Sequence, residues 1–317
     1  MSTPIVDYDT HGYDYRRYWA DRDYERRAES HALDRLVRRL GRADWFVDLG
    51  GGFGRNAEHY RRLADHYVIA DFSATNLANA ADLLADDVVA GRAFLVRCDL
   101  NALPFADAAF DAGLAVRVLH HLVDLDRALP EMARVVADRW LIDVPIKHHA
   151  WAVLRSAARG DRADLYSAAP RPMGVSADPF WNFRLPEVRR MLRRSGWRTQ
   201  VVASVNNLRR WDRRLPPSMV DALTPAALLV EAVAQRAGRG WWGPSQFVLA
   251  RRDPQLPAGR SPAPAGAGAD LLATRMVCPA CRATLLWTSH EATCAVCDRR
   301  YPRTGAVWNF TIAGDAR

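Results

Sequence analysis

Short apolar runs alternate with amphipathic stretches along the first 250 residues of the chain. The apolar runs predict strands at 45–49, 66–71, 93–99, 110–116, 140–144, 197–205 and 247–250. The stretches between them have helical spacing, at about 58–64, 73–84, 125–136, 186–195 and 225–237. Strands separated by helices indicate a parallel sheet with helices on both faces, so the predicted fold is α/β and doubly wound.

A glycine-rich turn follows the first predicted strand, which ends in Asp48 and Leu49. Glycines at 50, 52 and 54 lack a Cβ that would block a ligand from the backbone, and they tolerate positive φ. Polar, helix-compatible sequence continues from Arg55. A tight turn between a parallel strand and a helix is typical of a nucleotide-type binding site.

Two ligands would suit this loop, and a loop without any ligand is the third possibility. Residues 52–57 fit the dinucleotide pattern G-x-G-x-x-A, with Asp71 near the position of the ribose-binding acid. Gly50, Gly52 and Gly54 instead form G-x-G-x-G, preceded by Asp48. A carboxylate at the mouth of the loop would repel a pyrophosphate but attract the ammonium and sulfonium of S-adenosylmethionine (SAM). Asp48 therefore favours SAM.

The second pattern resembles motif I of the class I SAM-dependent methyltransferases, and further segments extend this resemblance over about residues 40–145. Residues 98–105 (CDLNALPF) resemble the family's GDA-x-x-LPF segment, although Cys98 replaces the usual glycine. Residues 110–111 (FD) and 118–122 (VLHHL) resemble the FD…LHHL segment of the type-11, ubiquinone-biosynthesis-like subgroup. The resemblance implies a Rossmann-like sheet and methyl transfer from SAM.

The same resemblance implies which residues contact the cofactor. Asp71 would accept hydrogen bonds from the ribose hydroxyls, as a carboxylate can from a diol, and Asp99 would accept one from the adenine amino group. Arg117 would meet the methionine part of SAM, or would otherwise be a solvated arginine. The expected cofactor-binding residues are Asp48, Gly50, Gly52, Asp71, Phe72, Asp99, Leu100 and Arg117.

The chemical step depends mainly on positioning and on desolvation of the methyl donor. A general base is needed only if the acceptor carries a proton of high pKa. His121 lies just beyond the fourth strand and is the expected base, since histidine titrates near neutral pH; alternatively it packs or caps the start of a helix. His148 and His149, near the end of the fifth strand, are weaker candidates.

Two segments are expected to cover the cleft. In related enzymes an N-terminal aromatic segment folds over the methionine end of SAM, and insertions between the fifth and sixth strands form the substrate lid. Here the segments are about 1–40 and 147–185, within a methyltransferase domain predicted at 1–252. Each N-terminal aromatic could instead pack a helix onto the sheet. These aromatic residues are Tyr8, Tyr13, Tyr15, Tyr18, Trp19 and Tyr24.

Two C-x-x-C pairs separated by twelve residues have the spacing of a four-cysteine zinc ribbon. Each pair directs two thiolates at one point, and four protein ligands leave no open position, so we predict one structural zinc. The ligands are Cys278, Cys281, Cys294 and Cys297. A Pro/Ala/Gly-rich linker at 253–269 separates the ribbon, 270–317, from the main domain.

The ribbon and its surroundings resemble the small activator proteins that pair with tRNA, rRNA and translation-factor methyltransferases. The resemblance covers residues 270–312 and includes Leu271-Leu272 and Tyr301-Pro302. Such activators are usually separate chains that cover an exposed apolar edge of the enzyme. Here the module is fused to the enzyme, and fusions of this type also occur on enzymes of unknown substrate.

The net charge of +8 is unevenly distributed: residues 1–150 carry −5 and residues 151–252 carry +11. The basic segment 186–214 indicates an anionic substrate or partner, or else a solvated helix surface. We therefore predict methyl transfer to a small-molecule acceptor. The alternative is a methyltransferase, or a non-catalytic SAM-binding protein, that acts on RNA or the translation machinery through this segment and the ribbon.

The sequence also bears on localisation. No apolar run reaches membrane-spanning length, and the polar, acidic N-terminus differs from a signal peptide. We therefore expect a cytoplasmic protein without a membrane partner, and the pattern leaves the oligomeric state open.

Overall fold

The computed structural model describes most of the chain. The described residues are 18–19, 22–122, 124–160, 167–173, 180–209, 211–212, 215–255 and 271–312. Tyr8, Tyr13, Tyr15 and most of the predicted linker therefore lie outside the described residues.

A mixed sheet of eleven strands crosses the molecule, and a separate two-stranded sheet lies in the insertion. The strands before the linker are β1 (Ala43–Leu49), β2 (Ala64–Asp71), β3 (Ala93–Arg97), β4 (Phe110–Ala115), β5 (Val136–Pro145), β6 (Arg171–Met173), β7 (Phe180–Asn182), β8 (Trp197–Val205) and β9 (Ser245–Arg252). The C-terminal strands are β10 (Leu285–Trp287), β11 (Glu291–Cys294), β12 (Arg300–Thr304) and β13 (Val307–Asn309). The large sheet has the order β10-β11-β12-β13-β3-β2-β1-β4-β5-β9-β8.

Helices cover both faces of this sheet. They are α1 (Asp23–Val37), α2 (Ala57–Tyr60), α3 (Ala74–Leu83), α4 (Ala85–Val89), α5 (Leu125–Val135), α6 (Ala150–Ala158), α7 (Leu185–Arg194) and α8 (Pro217–Ala237). Strands β3, β2, β1, β4 and β5 are parallel, and β9 is antiparallel to both β5 and β8. The predicted doubly wound α/β fold is confirmed.

Successive side chains of β1 contribute to different cores, which explains why the strand is apolar throughout. Val47 and Leu49 belong to the core on one face of the sheet, and Phe46 belongs to the core on the other. Such double burial is the reason that parallel strands appear as continuous apolar runs. The predicted N-cap at Ser73 is also observed, since its Oγ accepts a hydrogen bond of 3.1 Å from the Asn76 amide.

Two predicted helix boundaries are wrong. The helix placed at 225–237 begins eight residues earlier, because prolines at 216 and 217 provide a start and Pro225 lies within the helix. The helix placed at 58–64 ends at Tyr60, because residues 61–63 form a turn and β2 already begins at Ala64.

The C-terminal module extends the main sheet. Strand β13 lies parallel to β3, with Trp308 opposite Val96, and the Phe310 amide donates to the Arg97 carbonyl at 2.7 Å. The chain leading into the module is also bound, because the Val277 amide donates to the Pro104 carbonyl at 2.9 Å. Within the described residues, no helix has the length and apolar character required to cross a membrane.

Candidate active site and metal centre

The glycine-rich loop leaves the carboxyl end of β1 in a left-handed backbone conformation, with φ of 70° at Gly50 and 58° at Gly52. A Cβ on Gly50 would lie 2.3 Å from a methyl carbon of Val118, which follows β4. Position 50 therefore requires glycine for two reasons: its φ is positive, and the Val118 side chain approaches too closely to leave room for a Cβ.

Asp71, at the end of β2, connects this loop to the start of α3. Its Oδ2 accepts a hydrogen bond of 2.8 Å from the Gly52 amide, and its Oδ1 accepts one of 2.9 Å from the Ser73 amide. Phe72 follows with a half-buried ring, and the Arg97 guanidinium lies 5.5 Å from the centre of that ring. The structure thus brings the predicted ribose and adenine residues beside the loop.

Asp99 follows β3 at the same edge of the sheet. Its Oδ1 accepts hydrogen bonds of 2.8 Å from both the amide and the side-chain nitrogen of Asn101. Leu100 packs against the core. Cys98, which replaces the family's usual glycine, points into that core and is completely buried. The substitution therefore adds apolar contact within the core.

Asp48 lies beneath the loop and not at its mouth, which departs from the prediction. The side chain is completely buried, and the Tyr60 hydroxyl donates to its Oδ2 at 3.1 Å. Burial raises the pKa of Asp48 to about 7, although the Tyr60 hydrogen bond and the charge of Arg55 oppose this shift. The carboxyl therefore changes its charge near neutral pH.

Arg117 is held by an ion pair, so the alternative of a solvated arginine is wrong. Its Nε lies 2.6 Å from a carboxylate oxygen of Glu29, and the same carboxylate pairs with Arg55. Both guanidiniums lie over the Trp19 ring, Arg55 at 4.1 Å and Arg117 at 4.5 Å from its centre. The Tyr18 hydroxyl accepts a further bond of 3.2 Å from Arg117.

The sequence analysis predicts only part of this cluster, which consists of Tyr18, Trp19, Glu29, Arg55 and Arg117. Trp19 and Tyr18 lie against Arg117, the residue that the resemblance assigns to the methionine part of SAM. Tyr24 instead donates to Glu231 at 3.0 Å and packs α1 onto α8, as the alternative proposed. The sequence analysis does not identify Glu29 as part of the cluster. A lone glutamate in a helix gives no sign that it pairs with an arginine 88 residues later.

His121 lies just beyond β4, beside His120, with 4.0 Å between the ring centres. The Phe180 ring, from β7 of the insertion, contacts both histidines at 5.1 and 5.2 Å. Burial lowers the pKa of His121 to about 4, below the near-neutral range expected of histidine. The weaker candidates His148 and His149 immediately precede α6, and burial also lowers the pKa of His149 to about 4.

The four cysteines of the C-x-x-C pairs converge, and their sulfur atoms all lie within 4.8 Å of one another. Cys281 Sγ is 3.4 Å from Cys294 Sγ and 3.7 Å from Cys297 Sγ, and Cys278 Sγ is 3.7 Å from Cys297 Sγ. Tetrahedral zinc with bonds of about 2.3 Å separates its sulfur ligands by about 3.8 Å. The donor set and spacing fit a structural zinc.

Comparison with known proteins identifies the same part of the chain. Residues 47–139 match the family described as "Methyltransferase domain". The ubiquinone/menaquinone biosynthesis C-methyltransferase UbiE of Cellvibrio japonicus is 33% identical over 93 residues, which is 28% of this chain and 37% of that protein. The O-methyltransferase cnsE of Penicillium expansum is 27% identical over 203 residues, 61% of this chain and 68% of that protein. The match thus spans little more than a third of the length of UbiE.

Solved structures share the fold at low sequence identity. Magnesium protoporphyrin IX methyltransferase of Synechocystis PCC 6803, solved with bound SAH, is 15% identical over 78% of this chain and 96% of its own, with a TM-score of 0.50. A chain from the complex of a Haloferax volcanii methyltransferase with the Trm112 methyltransferase activator is 17% identical over 80% of this chain and 100% of its own, with a TM-score of 0.52. Residues 47–139 are therefore similar to a methyltransferase domain, and the chain has a Rossmann-like α/β fold.

Proposed function

We propose that the protein transfers a methyl group from SAM to a small-molecule acceptor. The methyltransferase-domain match carries this proposal, and the residues that the sequence assigned to the cofactor support it because they lie at or just beyond the carboxyl ends of β1, β2, β3 and β4. The names of two relatives agree with this proposal, since one is a C-methyltransferase of ubiquinone/menaquinone biosynthesis and another is an O-methyltransferase. SAM would supply the electrophilic methyl group. The protein would orient the two reactants and exclude water from them.

The cofactor would bind across the loop formed by Gly50 and Gly52. Asp71 is already oriented by two backbone amides, and a carboxylate is the acceptor type that suits the ribose hydroxyls. Phe72, Asp99 and Leu100 would contact the adenine. Asp48, beneath the loop, and Arg117, at the methionine end, would make the remaining contacts with SAM.

The acceptor would lie beside His121, beneath Phe180 of the insertion. An imidazole that is uncharged at pH 7 can accept a proton from a hydroxyl or an acidic carbon. The aromatic cover favours an acceptor with an apolar body, since Phe180 offers ring surface and no charge to the ligand.

Several arginines of α7 and of the start of β8 give little support to an RNA substrate. Arg189 donates to Thr199 at 3.1 Å, Arg190 pairs with Glu187, and Arg198 pairs with Asp253 at 3.0 Å. Guanidiniums engaged within the protein are poorer phosphate ligands than a cluster of unpaired ones. We therefore retain the small-molecule acceptor as the proposed substrate class.

We further propose that residues 270–317 form a ribbon with one structural zinc, similar to the activator proteins of other methyltransferases. The sulfur distances support the metal, and pairing of β13 with β3 supports a role at the edge of the main sheet. In cytoplasmic surroundings the thiols would stay reduced and available to zinc. The purified protein should carry one zinc per chain, and Cys281→Ser should reduce it; full zinc content in that variant would contradict the assignment.

The cofactor assignment is tested by calorimetry with SAM and with NADH. SAM should bind one site per chain, NADH should not bind, and Asp71→Asn should weaken SAM binding by about 30-fold, the equivalent of about 2 kcal/mol for charged hydrogen bonds. Asp65→Asn, an exposed acid on the same strand, is the matched control. Methyl transfer is then tested with labelled SAM and a panel of phenols, quinols and carboxylic acids. Absence of SAM binding would refute the proposed function.

A further inference from the structure

The ribbon contacts the backbone on both sides of the segment that is proposed to bind the adenine. Before this segment, the Phe310 amide donates to the Arg97 carbonyl at 2.7 Å. After it, the Val277 amide donates to the Pro104 carbonyl at 2.9 Å. The backbone of residues 98–103 therefore runs between two contacts that the ribbon provides.

Further bonds strengthen the contact after the segment. The Ala106 amide donates to the Arg275 carbonyl at 2.9 Å, and Phe105 pairs with Met276 as an antiparallel bridge. The side chains of Phe105 and Met276 are both buried in the core on one face of the main sheet. Residues 104–106 and the chain that leads into the ribbon thus form a short antiparallel contact closed by buried side chains.

The first C-x-x-C pair is joined to the same segment through Glu131 of α5. Arg282, directly after Cys281, donates to both carboxylate oxygens of Glu131 at 2.6 and 2.7 Å. Glu131 also accepts a bond of 2.8 Å from the Leu103 amide. The Arg282 amide in turn donates to the Cys278 carbonyl at 2.8 Å. The backbone that presents two proposed zinc ligands therefore also orients the guanidinium that holds Glu131.

Two of the cysteines share a core with this segment. Cys278 and Cys294 are completely buried, in the same cluster of apolar side chains as Leu103 and Phe105. A module as short as residues 270–317 buries little apolar surface of its own, so zinc should supply much of its folding free energy. Without the metal, the ribbon would lose its structure and with it the contacts on both sides of residues 98–103.

We propose that zinc in the ribbon and SAM in the cofactor site bind cooperatively, with the ribbon as the element that couples them. This inference rests on the proposed function and on the proposed zinc site. Zinc keeps the ribbon folded, and the folded ribbon holds residues 98–103 in place. SAM binding to an ordered segment then loses less conformational entropy than binding to a loose one. By linkage, SAM strengthens zinc binding by the same factor.

Calorimetry of the full chain with S-adenosylhomocysteine (SAH), with and without zinc, measures the coupling. Removal of zinc by a chelator should weaken SAH binding by about 5- to 150-fold, the usual range for coupled sites, and added zinc should restore it. Equal SAH affinity in the two forms would overturn the proposal and leave the proposed function intact. Failure of the zinc-loaded chain to bind SAH would instead refute the proposed function, and the coupling with it.

The reciprocal measurement is the zinc affinity, determined by competition with a chelator of known affinity. Saturating SAH should raise the zinc affinity of the wild type by the same factor as above. In Arg282→Asn this increase should be about two- to tenfold smaller, because the side-chain link to Glu131 is lost. Arg300→Asn, at an exposed arginine of the same ribbon, is the matched control and should respond like the wild type.

Comparison of these two variants separates a specific link from general stabilisation of the fold. If SAH strengthened zinc binding only by stabilising the whole chain, both variants would respond alike, and that result would overturn the role assigned to Arg282. A zinc affinity that does not change with SAH in the wild type would overturn the proposal as a whole.

Discussion

The Arg117 guanidinium forms an ion pair of 2.6 Å with Glu29, which lies 88 residues earlier in the chain. Glu29 is completely buried on α1, and Arg117 has a left-handed backbone with φ of 58° after β4. Such a conformation costs a non-glycine residue on the order of 1–3 kcal/mol, so surrounding contacts must hold it. The pair therefore couples the N-terminal helix to the proposed methionine end of the cofactor site.

Glu29→Gln should lower the free energy of unfolding by roughly 3–5 kcal/mol, because it leaves Arg55 and Arg117 without their shared countercharge. Burial alone would raise the pKa of Glu29, but the charges of Arg117 and Arg55 outweigh it and hold the pKa below its ordinary value. The stabilisation is thus fully present above the unfolded-state pKa of 4.5 and is lost as pH falls through the lower folded-state pKa. Urea unfolding at several pH values would measure it.

The matched control for this prediction is Glu58→Gln, at a glutamate whose side chain is 71% exposed. It should unfold like the wild type, since exposed pairs contribute about 0–1 kcal/mol. Equal stability of Glu29→Gln and Glu58→Gln at pH 7 would contradict the coupling.

Asp48→Asn should stabilise the protein at pH 8. Burial raises the pKa of Asp48 to about 7, so the unfolded state loses this proton before the folded state does. Wild-type stability should therefore fall as pH rises from about 4 to 7, by on the order of 3 kcal/mol for this group. Asp143, whose pKa burial raises to about 6, acts in the same direction and remains in the variant. A wild-type stability that rises over this range in step with the variant's would contradict the prediction.

Ionisation of Asp48, which should destabilise the fold, should strengthen SAM binding. The ionised carboxylate attracts the cofactor's ammonium, so wild-type affinity should increase between pH 6 and 8 while that of Asp48→Asn changes less. Calorimetry with SAM would measure both. Asp65→Asn, an exposed acid on β2, should retain the wild-type pH dependence.

The sequence predicted where those candidate-site residues lie whose positions have local determinants. Gly50 follows β1 and Asp71 ends the neighbouring β2, so apolar runs and their terminal residues were enough to place them at one edge of the sheet. Glu29 could not be found in this way, because its partners come from two other segments. The start of α8 was missed because Pro225 carries the same start signal as Pro217, and only tertiary packing decides between them.

Docking of the ribbon was equally beyond sequence reasoning. The cysteine spacing predicts how residues 278–297 fold, because the ligands are local to that segment. Nothing in the spacing indicates that β13 pairs with β3, since a parallel edge contact depends on the partner strand's exposed backbone.

Arg282→Asn should weaken SAM binding about two- to tenfold while leaving zinc content unchanged. Arg282 follows the first C-x-x-C pair and forms bonds of 2.6 and 2.7 Å with Glu131. Glu131 in turn accepts a bond of 2.8 Å from the Leu103 amide, in the loop that follows Asp99. Loss of the pair should loosen this loop. Asparagine is chosen because it tolerates the φ of 64° at this position.

Arg300→Asn is the control for that experiment, because Arg300 is an exposed ribbon arginine that pairs with Glu291 at 4.0 Å. Its SAM affinity should match the wild type. Identical affinities in Arg282→Asn and Arg300→Asn would show that the ribbon does not support the adenine loop.

His121→Ala should lower turnover by roughly 100-fold, with unchanged SAM affinity, if the acceptor is a hydroxyl or an acidic carbon. Because burial lowers the pKa of His121 to about 4, its ring is already unprotonated at neutral pH, and wild-type turnover should show no histidine titration between pH 5.5 and 7.5.

His120→Ala is the matched control: that ring contacts the same Phe180, so it tests loss of packing without loss of the proposed base. Equal losses in both variants would make His121 a packing residue, and weakened SAM binding would place it in the cofactor site. An unchanged rate in His121→Ala would mean that positioning alone drives the transfer.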